Sequence, residues 1–302
     1  MANRISTASV QLVLDGAGVG FLNSFEGGRP VAAVVTEKAD SSLIPKKHLG
    51  GISYRPLVME CGPAISPVLF DWINASWTGT PQRKDGSIVT ANARLTAVKQ
   101  LDFFKAFITE TTIPALDASS KEALHLTVTL APELARNSQP SGTVIGQAVK
   151  QKLWVASNFR VAIDGLDCTR VMRVDALTVR QATGDLIGIH RDIGQPGPVD
   201  FPNLTVTLAE GSSETWFAWF EDFVVKGNNG QPKEKNGSIA LLSPDMKDEM
   251  LRIDLFGLGI FALDPEKTDQ SSDKISAVTA QMYCERMELH LSDKAPKPEI
   301  VR

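Results

Sequence analysis

"VQLVLDGAGVGF", residues 10 to 21, closes an alternating apolar run on Gly16, Gly18 and Gly20, in the way a nucleotide-binding turn would. A dinucleotide fingerprint needs G-x-G-x-x-G between a strand and a helix, so that the pyrophosphate meets the helix N-terminus. Here Phe21 stands at the sixth position, and "FLNSFEGGRP" brings Gly27, Gly28 and Pro30 before a helix could start. A second stretch decides the matter. "FRVAIDG", residues 159 to 165, repeats the alternation and the Asp-Gly ending 149 residues downstream, then continues as "LDCT" without the later glycines. What the two share is a strand followed by Asp-Gly, which is hairpin chemistry because both residues tolerate positive φ. The glycines therefore read as turn residues and not as a phosphate cradle.

The match continues along the chain. "LVMECG" (57–62) pairs with "VTLAEG" (206–211) at the same offset, "DGSI" (85–88) with "NGSI" (236–239) at 151, and "LDFF" at 101 with "IDLF" at 253, at 152. "PALD" ending at 117 pairs with "FALD" ending at 264, and "LHLTVTLAPE" aligns loosely with "TAQMYCERMEL". Ordered matches whose offset drifts by only a few residues mark a tandem duplication. The reading is a first copy over 1–137, a polar Gly- and Pro-bearing linker over 138–152, and a second copy over 153–302.

Composition agrees with two buried cores: 43% of residues are hydrophobic and 22% charged, the profile of an ordinary globular protein. A net charge of −4 gives no blanket attraction to nucleic acid or anionic membrane, and it is unevenly shared, +1 over residues 1–141 against −5 beyond. Cys61, Cys168 and Cys284 are too far apart for a disulfide framework or a zinc knuckle, and read as buried thiols in a reducing compartment. "MANRISTASV" lacks an apolar signal core, so synthesis in the cytoplasm without signal-peptide export is expected.

Each copy opens on an alternating strand, followed by a second strand-like run, "AAVVTE" or "VMRVDALTVRQ", and a long turn-rich stretch. A third strand ends on Gly62 or Gly211. One helix per copy follows. In "SPVLFDWINASW" Ser66 is a cap and Pro67 suits the first helical position, with Val68 and Trp72 on the core stripe. In "SSETWFAWFEDFVV" the heavy stripe is Trp216, Trp219, Phe220 and Phe223. Such a stripe is expected to pack on its own sheet and not to stack on nucleic-acid bases. A hairpin around "KDGSIV" or "KNGSIAL" and further strands complete each copy. The fold class is mainly β with α: two tandem β-sandwich or barrel domains, each with one flanking helix.

Chemistry-bearing patterns are sparse. His48, His125, His190 and His290 are scattered, with His125 and His290 expected to share a place in the two closing strands. No H-E-x-x-H, G-x-S-x-G or P-loop pattern occurs, and adjacent carboxylates such as Glu221-Asp222 read as solvated charges. The expectation is no catalytic, cofactor or metal site and no enzyme.

"F-x-V-x-I-D-G", the alternating second strand, "NLTVTLAEG", the aromatic helix "W-F-A-W-F", the Gly-Ser-Ile hairpin and the closing strand together resemble the tail tube protein family. Its members build the inner tubes of contractile phage tails and related injection machines, and share a fold with the type VI secretion tube. The resemblance is clearest over 159–291 and reaches the first copy through the internal alignment. It implies a structural protein whose partners are copies of itself, a sheath, and baseplate or hub proteins, with DNA or protein cargo passing the lumen unbound and no membrane partner. Family members usually carry one domain and form sixfold rings, so a two-domain chain implies a pseudo-sixfold trimer, with a hexamer of chains as the other geometry. The stretches 36–53 and 182–200, with Lys46, Lys47, His48, His190, Arg191 and Asp192, are the implied ring-stacking loops. The place implied is a virion or tail-like particle. A hub or adaptor ring is the alternative within this class; a carbohydrate- or cell-surface-binding β-sandwich module and a small hydrolase are the alternatives outside it.

Overall fold

The computed structural model describes residues 9–37, 44–140, 144, 154–183, 196–266 and 276–295. Strand β1 (Ser9–Leu14) buries Leu12 and Leu14 on one face. Asp15 and Gly16 both take positive φ, 49° and 82°, and reverse the chain into β2 (Ala17–Gly27). Residues 17–27 thus form an eleven-residue strand where the sequence suggested turns. Gly18 and Gly20 sit opposite Val13 and Leu12 across a bulge, so the glycines accommodate a bulged strand pair and no helix follows them.

Next come β3 (Pro30–Thr36) and β4 (Lys47–Tyr54), which among the described residues pair only with each other and form a two-stranded arm. Much of the expected 36–53 loop is therefore strand. The first half continues with β5 (Leu57–Ile65), α1 (Pro67–Trp77), β6 (Lys84–Ala91), β7 (Ala97–Ile113), β8 (Leu116–Asp117), β9 (Leu126–Ala131) and β10 (Leu134–Ser138). Pairing runs β7-β6-β1-β2-β5-β9 and returns from β9 to β7, which closes a six-stranded barrel and removes its free edges.

The second half repeats the order: β11 (Phe159–Ile163), β12 (Val171–Val174), β13 (Leu177–Thr183), β14 (Pro196–Asp200), β15 (Leu204–Ala209), α2 (Glu214–Phe220), β16 (Lys235–Leu242), β17 (Glu249–Pro265) and β18 (Ala277–Leu291). Its sheet runs β11-β16-β17-β18-β15-β12-β8 and stays open, a half-barrel. The fold is mainly β, with 60% of residues in strands and 12% in helix.

The two halves share strand register. Leu14 faces Gly86 and Ile88 faces Leu101 in the first half; Ile163 faces Gly237 and Ile239 faces Ile253 in the second. Bulges fall at Lys84/Gly86 and at Lys235/Gly237. "DGSI" and "NGSI" consequently lie inside β6 and β16, not at a hairpin tip. A Cβ on Gly86 would stand 2.5 Å from the Val13 carbonyl oxygen, and one on Gly237 2.5 Å from that of Ala162. The preceding residue clamps the next strand: Asp85 Oδ1 accepts the Lys105 N–H at 2.7 Å, and Asn236 Oδ1 accepts the Gly257 N–H at 3.2 Å. Close backbone approach beside a bulge, not a turn, is what this glycine serves.

The two halves exchange strands. Leu177–Arg180 of β13 pair with Ile113–Glu110 of β7, so the β13–β14 hairpin extends the first sheet. In return β8 pairs with β12 in the second. One continuous apolar cluster runs through both halves.

Candidate assembly interface

Helix α1 starts where the sequence places it. The Ser66 hydroxyl accepts the Val68 N–H at 3.3 Å, with Pro67 in the first turn. Its buried residues are Leu69, Phe70, Trp72, Ile73, Ser76 and Trp77. Val68 is 43% exposed, a correction to its expected core role: the buried stripe is rotated toward Phe70 and Trp77. The reason lies in what covers the helix. Instead of resting mainly on its own sheet, α1 packs on β18 of the second half. The Leu289 N–H donates to Asn74 Oδ1 at 3.0 Å, and the Ser76 hydroxyl donates to Gln181 Oε1 at 2.9 Å. Phe70 meets Trp154 edge-on, with ring centroids 6.1 Å apart. Trp72 donates its indole N–H to the Gln82 carbonyl.

Helix α2 packs on its own β17, with Trp216, Trp219 and Phe223 buried and Phe220 half-buried. It also anchors the loop between β11 and β12. The Trp216 indole donates to the Asp167 carbonyl at 2.9 Å, and the Asp167 N–H donates to the Thr215 hydroxyl at 2.9 Å. Hydrogen bonds from Thr169, side chain first and backbone second, hold the Asp167 carboxyl below the usual carboxylate range. Trp219 packs edge-on against Phe223 and lies under the Lys235 ammonium at 5.4 Å.

The implied stacking residues divide. Lys47 and His48 are exposed at the start of β4, Lys46 immediately precedes them, and His48 lies 3.5 Å from Glu37. His190, Arg191 and Asp192 fall outside the described residues. The expected kinship of His125 and His290 is corrected: His125 precedes β9 and bonds Asn23, whereas His290, in β18, faces Asp254 and Glu288. The β7–β10 and β17–β18 registers make Ser138 the counterpart of His290. Cys61 is buried, and burial, assisted by Glu60, pushes its thiol up to about 12; burial also raises Cys168 and Cys284. Among the described residues no cluster of three His, Cys, Asp or Glu could hold a metal, and no helix is long and apolar enough to cross a membrane.

Sequence reasoning missed the residues that join the halves, Asn74, Ser76 and Gln181, and read the β4 stretch as loop. Phe70 and Trp77, apolar but off the assumed Val68–Trp72 stripe, were the available signal of a second covered face.

Residues 30–135, from the arm through α1 to β10, match the family model described as T4-like virus tail tube protein gp19. Over that stretch the first half is similar to the tail tube protein family. Among solved structures, the chain is similar to the anti-feeding prophage cap (tube terminating cap) at 13% identity, covering 51% of this chain and 97% of that one, with a TM-score of 0.38. It is similar to the sheath/tube terminator of the PVC extracellular contractile injection system at 21% identity, covering 43% and 93%, with a TM-score of 0.37. Hcp1 from Flavobacterium johnsoniae matches at 17% identity, covering 45% and 99%, with a TM-score of 0.25. Nothing matches among curated proteins.

Proposed function

We propose that this chain is a structural ring protein of a phage tail or contractile injection particle, assembling as a pseudo-sixfold trimer whose rings stack into the inner tube. The observation that carries this reading is the β7–β13 strand pair. It joins one tail-tube-type half to the next by continuing a sheet, which is the contact a ring of such halves repeats. Three two-domain chains supply six halves, and a head-to-tail contact closes when its rotation fits a whole number of copies. The net +1 of residues 1–141 beside the −5 of the rest favours alternation of unlike halves and discourages pairing of like ones. Lys46, Lys47 and His48, at the start of β4, would reach the adjacent ring, and a sheath and a baseplate would be the outer partners. The lumen passes DNA or protein without specific binding, and no chemical step is assigned.

Negative-stain images and native mass spectrometry of the purified chain test this. Three-chain rings and stacked tubes are the expected result. Rings of three that never stack would point to a hub or adaptor; a six-chain double layer would place the two halves of a chain in successive rings. A monomer at high concentration would overturn the assembly reading.

A further inference from the structure

Two contacts between the halves, the β13–β7 strand pair and the seat of α1 on β18, have counterparts left open among the described residues. The β3–β4 arm has the register of the β13–β14 hairpin: Val31 faces Ser53 as Arg180 faces Asp200, and both pairs break at a bulge two residues on. Yet β13 docks on β7, while β3 and β4 have no third strand among the described residues. The edge that receives β13 is β7 beyond the end of β6; its counterpart is β17 beyond the end of β16, where residues 259–265 pair, among the described residues, with β18 alone.

The helices show the same asymmetry. With the capping residues Ser66 and Ser213 superposed, Phe70 corresponds to Phe217 and Trp77 to Val224. Phe70 and Trp77 are 2% and 3% exposed; Phe217 and Val224 are 40% and 39% exposed. The surface that α1 covers, β18 around Leu289, corresponds through the shared register to β10 around Asn137. There, among the described residues, the first half carries a cavity of about 1170 Å³ between β10 and the end of β2, lined by four cations, Arg29, Arg55, Lys99 and Arg136, against one carboxylate, Glu26. Helix α2 and the turn after it carry Glu214, Glu221 and Asp222, with Glu221 at the position of Asn74.

We infer that a second copy of this chain supplies both missing contacts at once: α2 of one chain seats in the basic cavity of the next, and that chain's arm pairs Gly28–Val31 with Pro265–Ala262 of the first. This deepens the ring reading and rests on it. One interface accounts for the two halves of the observation, because the half that gives its helix is in each case the half that receives the arm. It would cover Val31, Val34, Val35, Leu49 and Ile52 of the arm and Phe261 beside the acceptor edge, apolar side chains exposed in the single chain. Pro30 and Pro265 withhold two N–H donors from the new ladder, so the helix seat and its charges supply much of the specificity.

The full chain carrying Phe217→Asp and Val224→Asp, both at exposed positions, should keep its circular dichroism and melting temperature but lose ring formation in native mass spectrometry. Glu221→Arg alone should weaken assembly at least tenfold, and Arg136→Glu added to it should restore it. Val31→Cys with Ala262→Cys should give inter-chain disulfides on a non-reducing gel, in a ladder ending at three chains. If wild type forms rings and the double-Asp variant forms them equally well, or the paired cysteines never cross-link within those rings, the interface is wrong while the ring stands. A wild type that stays monomeric removes the ring and the interface together.

Discussion

In the first half β1 pairs with β2; in the second, the equivalent strands β11 and β12 do not pair, while every other barrel pairing has its counterpart. One seam separates a closed barrel from a half-barrel. The difference begins at the residue after the shared Asp-Gly. "AGVG" continues straight from the turn into β2 and lets a bulged strand return along β1, where Gly18 faces Val13 with only the Gln11 side chain near it. "LDCTR" instead builds a loop over residues 164–170 in which Asp167 folds back on Thr169 and α2 pins the result through Trp216 and Thr215. Four residues of local chemistry decide whether a sheet closes. The open seam is stabilised by a helix contact that the closed half does not need.

That contrast is most directly broken at Trp216. Replacing it with Ala should destabilise the chain by about 3–5 kcal/mol, since a fully buried indole is lost. Trp216→Phe keeps most of the packing and removes the bond to the Asp167 carbonyl, at about 1 kcal/mol. Urea unfolding gives both numbers. Hydrogen exchange should quicken in residues 164–170 of the Phe variant and stay unchanged in residues 10–22; equal acceleration in both would show that the two seams do not differ as described.

A smaller effect is expected at the clamp glycines. Gly86→Ala and Gly237→Ala each drive a Cβ against a strand carbonyl, an overpacking worth about 1–3 kcal/mol. The closed barrel has no free seam through which to relax, and a Cβ at Gly86 also meets the Phe103 ring at 2.4 Å. Gly86→Ala should therefore cost more than Gly237→Ala in thermal unfolding. The reverse order would mean that closure does not stiffen the first half.

These sites also show what the sequence could and could not reveal. The alternation in "VQLVLDG" and "FRVAIDG" exposes two equivalent strands, and Ser66-Pro67 marks a helix start that the structure keeps. Local signals failed where a residue serves a distant neighbour. Gly86 resembles turn chemistry, yet its absent side chain matters to Val13, more than seventy residues away. Likewise β2 was hidden because glycines interrupt its apolar pattern, although a bulged strand needs them there. The exchange of β13 for β8 between halves leaves no periodic trace, because it depends on which edge is vacant once the barrel has closed. For the interface, Phe70 and Trp77 were legible as apolar, but which sheet covers them follows only from the placement of the halves.

Alkaline pH tests burial in the closed half. The Cys61 thiol is raised from about 9 to about 12, so the folded chain holds a proton that the unfolded chain releases. Its contribution is fully present below about pH 9 and is lost as the pH climbs toward 12, at no more than about 1.4 kcal/mol per pH unit for one group. Tyr283, raised to about 12 chiefly by burial and then by its bond to Glu234, slopes in the same direction. Cys61→Ala should flatten the decline between pH 9 and 11, and a thiol reagent should leave Cys61 unmodified in the folded protein while labelling it in urea.

The smallest effect separates two residues that hold one backbone position. Lys105 and Gly257 occupy equivalent bulges, φ 46° and 64°, and each donates its N–H to the clamping side chain of Asp85 or Asn236. A side chain in this left-handed region costs about 1–2 kcal/mol, which glycine avoids. Against that, glycine loses about 0.5–1 kcal/mol more backbone freedom on folding. Lys105→Gly also gives up an exposed pair with Glu133 at 3.2 Å, worth about 0–1 kcal/mol. The balance favours Lys105→Gly by roughly a quarter of a kcal/mol, a gain of about a degree or less in melting temperature for a chain of this length. Gly257→Lys should do the reverse and more, because its Cβ would crowd the Glu285 side chain at 2.7 Å. If the two substitutions shift stability in the same direction, the bulges are not equivalent, and the register shared by the halves stops at β7 and β17.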